Sequence, residues 1–131
     1  ELPEVIIMAR EQGPQRPELR KMAAEVFLTM SATEKGRRAL SSEGAVEILL
    51  RWTGDIDDVA VNSFGCLVNI SADLLEERME LMIENKAVGR IFEVVFASEC
   101  TAQKRDSALM LLANLTTMEQ GAREALQLGQ Q

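Results

Sequence analysis

The stretches FLTMSA (27–32), LVNISA (67–72) and LANLTT (112–117) decide how this chain is read. Sliding the sequence by 40 residues lays the first on the second, and a further 45 reaches the third. The likeness spreads outward from there. SATEKGRRAL (31–40) and TTMEQGAREAL (116–126) share Glu, Gly, Arg and Ala-Leu, with one extra residue in the later copy, and EGAVEILL (43–50) lies 42 residues before NKAVGRIF (85–92). Asn69 and Asn114 fall inside apolar helical runs, followed by Ile-Ser and Leu-Thr. Asparagine is a poor helix-interior residue because its amide competes for backbone hydrogen bonds, so two of them in matching surroundings need a reason.

Turn signals divide the chain into helices near 4–11, 18–30, 34–41, 44–52, 57–70, 75–84, 86–97, 102–115 and 118–128. The breaks are Gly13 with Pro14, SATEKG, SSEG, TGDIDD, SAD, Asn85 and SECTAQ, residue types that stop helices or cap the next one. No segment alternates as a strand does. The palette agrees: Leu, Ala, Val, Ile and seven Met, one Trp, no Tyr, and all three Pro at or before Pro17. The fold class expected is all-α.

Repeats of 40–45 residues with two or three helices each are the pattern of HEAT and armadillo arrays, in which a unit too small to bury its own apolar face stacks on its neighbours. The expectation is a right-handed α-solenoid of about three repeats: a partial one at 1–13, then 17–53, 54–98, and an incomplete one at 99–131. Ala60, Phe64 and Leu67 form the core stripe of the helix at 57–70, flanked by Val68 and Ile70, and Leu109 and Leu112 are their expected counterparts. Each such residue, once buried, contributes about 1.5–3 kcal/mol. Asn69 lies on the other side with Asn62, Gly65 and Cys66. The matching strip holds Ser107, Met110 and Asn114 in the third copy, and Met22, Glu25 and Thr29 in the first. A row of amides and small side chains can pair with a partner's main chain, so Asn62, Asn69, Ser107, Met110, Asn114, Glu25 and Thr29 are the candidate protein-binding residues. The competing reading has each asparagine tie its helix end to the following turn.

Other chemistries find little support. Fourteen basic residues against 21 acidic ones give a net charge of −7, the wrong sign for a general nucleic-acid binder. The charge is uneven, with seven basic and four acidic residues at 10–38 but one basic and five acidic at 73–84. No run approaches the roughly 18 apolar residues of a membrane span. There is no His, no GxxxxGK[ST] and no GxGxxG, so the commonest general base and the phosphate cradles are missing. Asp55, Asp57 and Asp58 lack EF-hand spacing and read as a turn that caps the next helix. Lys35, Arg37 and Arg38 read as a solvated helix end, and Trp52 as packing against the neighbouring repeat. Cys66 and Cys100, without CxxC spacing, read as reduced and buried in a cytosolic or nuclear protein. No cofactor, metal or catalytic residue is expected. The absence of an initiator Met, and an end on GQQ directly after an apolar helix, suggest a fragment whose end helices fray or self-associate.

EGAVEILLRWTGDIDDVAVNSFGCLVNIS and NKAVGRIFEVVFASECTAQKRDSALMLLANLT resemble the second and third helices of armadillo repeats, with Asn69 and Asn114 at the near-terminal Asn of the third helix. In importins that Asn works with a Trp one turn earlier to hold an extended peptide. Here Gly65 and Met110 stand at the Trp positions, a departure from importin-like signal binding. The order RPELRKMAAEVFLTMSATEKGRRAL, CLVNISAD, SALMLLANLTTMEQGARE, covering about 17–128, resembles the start of the eukaryotic Hgh family. The resemblance implies a cytoplasmic adaptor, not an enzyme, that assists folding of translation elongation factor 2 by delivering it to the chaperonin and a heat-shock chaperone, with the remainder of the adaptor beyond Gln131. A generic armadillo scaffold holding an extended peptide of another partner is the alternative.

Overall fold

The computed structural model describes residues 2–12 and 15–130. Nine α-helices and no strand occur among them: α1 (Leu2–Gln12), α2 (Pro17–Met30), α3 (Glu34–Ser42), α4 (Ala45–Trp52), α5 (Asp57–Ser71), α6 (Glu76–Glu84), α7 (Ala87–Val95), α8 (Ala102–Leu115) and α9 (Glu119–Gly129). Every expected helix is present, with each end within two residues of the sequence-based bounds, and the class is all-α. The Gly13–Pro14 break lies outside the described residues. No described helix is long and apolar enough to cross a membrane.

Local chemistry accounts for the starts of α2, α3 and α8. Pro17 opens α2, where its missing N–H costs nothing. The Thr33 hydroxyl accepts the Gly36 N–H at 3.0 Å to cap α3, and the Thr101 hydroxyl accepts the Lys104 N–H at 3.2 Å to cap α8. The residues just before α4 and α7 both adopt the left-handed conformation, Gly44 at φ 89° and Lys86 at φ 70°. Glycine enters that region freely whereas lysine is strained there by about 1–2 kcal/mol. The acidic turn before α5 differs from expectation, since α5 has no side-chain cap. Asp55 instead accepts the Ile56 N–H at 2.7 Å while the Arg20 guanidinium holds both its oxygens, so the carboxylate is committed to α2 rather than to the helix that follows it.

The three longest helices pack in sequence, α2 against α5 and α5 against α8, and each has a shorter helix behind it: α1 on α2, α4 on α5, α7 on α8. Between them lies a core that includes Phe27, Leu40, Leu49, Phe64, Leu67, Ile70, Met82, Val88, Leu111 and Leu115. Trp52 is 4% exposed and stacks on Phe27 with ring centroids 6.2 Å apart, which makes it a packing residue. The stripe expected for α8 needs correction. Its buried residues are Ala108, Leu111 and Leu115, while Leu109 is 43% exposed and Leu112 only half-buried. Their counterparts Phe64 and Leu67 are fully buried because α5 has long helices on both sides, whereas α8 has one on a single side.

Two glycines set the tight turns into α3 and α9. A Cβ on Gly36 would fall 1.8 Å from the Met30 carbonyl oxygen, and one on Gly121 would fall 2.2 Å from that of Leu115. The backbone of each starting helix therefore crosses the end of the previous one at a distance only glycine permits. Gly36→Ala should lower unfolding free energy by about 1–3 kcal/mol through forced displacement. Gly89→Ala, where nothing lies within 4 Å of the added carbon, should raise it by about 0.5–1 kcal/mol because glycine weakens a helix interior. Denaturant titration of both variants checks the opposite signs; a shared sign contradicts the account.

Candidate protein-binding face

Asn69 and Asn114 bridge neighbouring helices. Asn69 Nδ2 donates to Ser31 Oγ at 2.9 Å, and Asn114 Nδ2 donates to Ser71 Oγ at 3.0 Å. In each pair the amide sits near the end of one long helix and the hydroxyl at the end of the long helix before it. Each serine in turn donates to the carbonyl three residues back, Ser31 to Leu28 at 2.6 Å and Ser71 to Val68 at 3.1 Å. The hydroxyl proton is thereby directed into its own helix, and the oxygen faces the incoming amide as acceptor. Both serines are fully buried, so loss of either partner strands a polar group. The expected tie to the following turn is thus replaced by a tie to the preceding helix, through serines that the sequence reading did not single out. Their sequence signal is a hydroxyl residue at the same place in each copy.

A charged cluster lies on the same side, where α3 meets α6. Arg78 is 7% exposed and grips Glu34 through both guanidinium ends, at 3.2 and 2.8 Å, with Asp73 at 3.6 Å. The Arg78 hydrogen bond holds the Glu34 carboxyl below its ordinary range. Arg37 donates to the Ser31 carbonyl at 3.0 Å and lies 3.4 Å from Asp73, so it is part of this junction rather than a solvated helix end. A buried guanidinium is tolerated when it is paired in two-point fashion, and the fork geometry fixes the angle of approach. Lys104 to Asp57 at 2.8 Å and Lys21 to Asp58 at 3.2 Å link the opposite ends of the long helices. The Lys21–Asp58 contact is exposed on both sides and adds little net stability, whereas the Lys104 side chain is largely covered where it meets the exposed Asp57.

The candidate binding residues divide into two groups. Asn62, Asn69, Ser107 and Asn114 are half-buried, whereas Glu25, Thr29 and Met110 are exposed. Glu25 and Asn62 share one groove with Lys21, Asp57, Asp58 and Gln103, while the amides of Asn69 and Asn114 already have partners inside the chain. At Gly65 an added Cβ would lie 3.2 Å from Leu28 Cδ1. The Leu28 side chain would have to give way to a larger residue there.

Cys66 and Cys100 are both free. Cys66 is fully buried and its thiol donates to the Phe27 carbonyl at 3.4 Å. Burial pushes this thiol up to about 12, a rise the nearby Ser31 hydroxyl offsets in part. Cys100 departs from expectation: α7 ends at Val95, leaving Cys100 half-buried in the connection before α8. Compared with known proteins, the sequence matches no family model and no curated protein. Because alkylation requires an accessible thiolate, iodoacetamide at neutral pH should add one equivalent to the folded chain, at Cys100, and a second only after unfolding. Peptide mass mapping checks this; modification of Cys66 in the native state contradicts it.

Proposed function

We propose that the chain is an armadillo-type α-solenoid that binds protein and performs no chemistry of its own, acting in the cytosol or the nucleus as an adaptor in the folding of translation elongation factor 2. The observation that supports it most directly is the recurrence of one tie, Asn69 to Ser31 and then Asn114 to Ser71, at the same place in successive copies of the sequence repeat. A ladder of this kind lines up successive helices and leaves a continuous strip, Glu25, Thr29, Gly65 and Met110, for an extended or partly folded client. The resemblance of 17–128 to the Hgh family narrows the client to elongation factor 2 and its chaperones. A generic scaffold for an extended peptide uses the same strip, and Gly65 and Met110 distinguish either from an importin-like groove.

Purified elongation factor 2, diluted from denaturant, should be held in a complex by this chain, and its native form held less tightly. Glu25→Arg with Met110→Glu, both at exposed positions, should weaken that complex at least tenfold, about 1.4 kcal/mol, with unchanged melting. No complex with either form, alongside capture of many peptides sharing a basic motif from cytosol, would replace the adaptor reading with the generic scaffold.

A further inference from the structure

Helices α3, α6 and α9 each open on a glutamate, and they treat it differently. In α3, Glu34 has Arg38 one turn on, 3.5 Å away, and in α9, Glu119 has Arg123 at the same spacing, 2.6 Å away. In α6 the opening residue is Glu76, the position one turn on is Glu80, and a further turn brings Glu84. Glutamates four residues apart share a helix face and repel one another, and Glu84 stands at the C-terminal end, where the helix dipole disfavours a negative charge. All three are exposed, as is Glu77, and no ion pair among the described residues reaches any of the four. Packing does not place them there, because α6 buries Met79, Met82 and Ile83 on its other side. The row therefore weakens the helix that carries it, and nothing among the described residues offsets the repulsion.

These carboxylates form one wall of a groove of about 840 Å³ between α6 and α3. Leu75, 44% exposed, and the half-buried Leu81 give that wall an apolar side. The cations lining the groove, Arg78 and Arg38, are both turned to Glu34, at 2.8 and 3.5 Å. From Glu76 to Glu84 the charge is strung along about 12 Å of helix, at about 1.5 Å per residue. It is not focused on one point: no group of three or more acidic or cysteine side chains that could hold a metal ion occurs among the described residues. Described helices precede α3 and follow α6 in the chain, so both walls of the groove are internal to the fold.

We propose that this groove takes a basic amphipathic helix of a protein partner, with Lys or Arg side chains one turn apart facing Glu76, Glu80 and Glu84, and apolar side chains beside them resting on Leu75 and Leu81. Charge complementarity selects the occupant, since an acidic or phosphate-bearing ligand is repelled here. A helix is the form that repeats its side chains at the same one-turn interval as the glutamates, and it lays an apolar stripe next to the charged one. The groove shares no residue with the strip of Glu25, Thr29, Gly65 and Met110, so this second surface does not depend on the adaptor reading.

Fluorescence anisotropy with a labelled, end-blocked peptide helix tests this on the whole chain, the peptide carrying lysines four residues apart and leucines beside them. It should bind at low salt and lose affinity at least about tenfold at high salt. A peptide of the same composition with its lysines scattered around the helix should bind at least about tenfold more weakly. Glu80→Arg recreates the pair that α3 and α9 carry, so it should melt no lower than the parent chain and yet hold the peptide at least about tenfold more weakly. Should it melt early, Glu84→Arg takes its place. Glu25→Arg with Met110→Glu should bind the peptide as the parent does. No binding at low salt, equal binding of the scattered peptide, full binding by folded Glu80→Arg, or loss of binding in the Glu25 and Met110 variant overturns the proposal.

Discussion

A side-chain amide reaching back to the hydroxyl that ends the preceding helix is the contact on which the order of the long helices depends. Apolar burial supplies more free energy, but it is non-directional and tolerates sliding. The Asn69–Ser31 and Asn114–Ser71 bonds do not, because a shift by one residue turns the amide through about 100° and away from its acceptor. Each bond contributes only about 0.5–1.5 kcal/mol net, and its larger effect is selective. It penalises any register that leaves a buried Ser31 or Ser71 facing an apolar side chain. The two-point grip of Arg78 on Glu34 acts in the same manner where the shorter helices meet.

Much of this architecture is legible in the residues themselves. Helix positions follow from turn chemistry that acts locally: Thr33 and Thr101 as caps, Pro17 as an opener, Gly36 and Gly121 where backbones cross. The asparagines were recognisable as unusual because helix propensity disfavours them. Their partners were not, since a bond across 38 or 43 residues depends on how helices pack. Leu109 was misassigned to the core for a related reason. Its periodicity matches that of Phe64, but burial requires a neighbour on the far side of α8, and periodicity carries no information about that neighbour. Arg37 was misread as solvated because its anchors, the Ser31 carbonyl and Asp73, come from a turn and from another connection. Cys100 is half-buried rather than buried because it stands in the connection between α7 and α8.

The same bonds bear on function by deciding what is left for a partner. Engaged amides at Asn69 and Asn114 hold the long helices side by side, and the exposed Glu25, Thr29 and Met110 then stand along one set of helices rather than on scattered loops. The proposed adaptor role asks the face to accept a client whose own fold is incomplete, for which a mixed strip of a flexible thioether, a carboxylate and hydroxyls is better suited than a deep aromatic pocket. Gly65, where an added Cβ would lie 3.2 Å from Leu28 Cδ1, supplies no aromatic wall for such a pocket.

A double-mutant cycle on Asn69 and Ser31 tests the central claim most directly. Unfolding free energies of Asn69→Ala, Ser31→Ala and the double variant should give a coupling of about 0.5–1.5 kcal/mol, and the pairing of Asn114→Ala with Ser31→Ala, which do not touch, should give a coupling near zero. Additive effects for Asn69 and Ser31 would contradict the account, because the amide would then be no more than a neighbour of the hydroxyl it is said to hold.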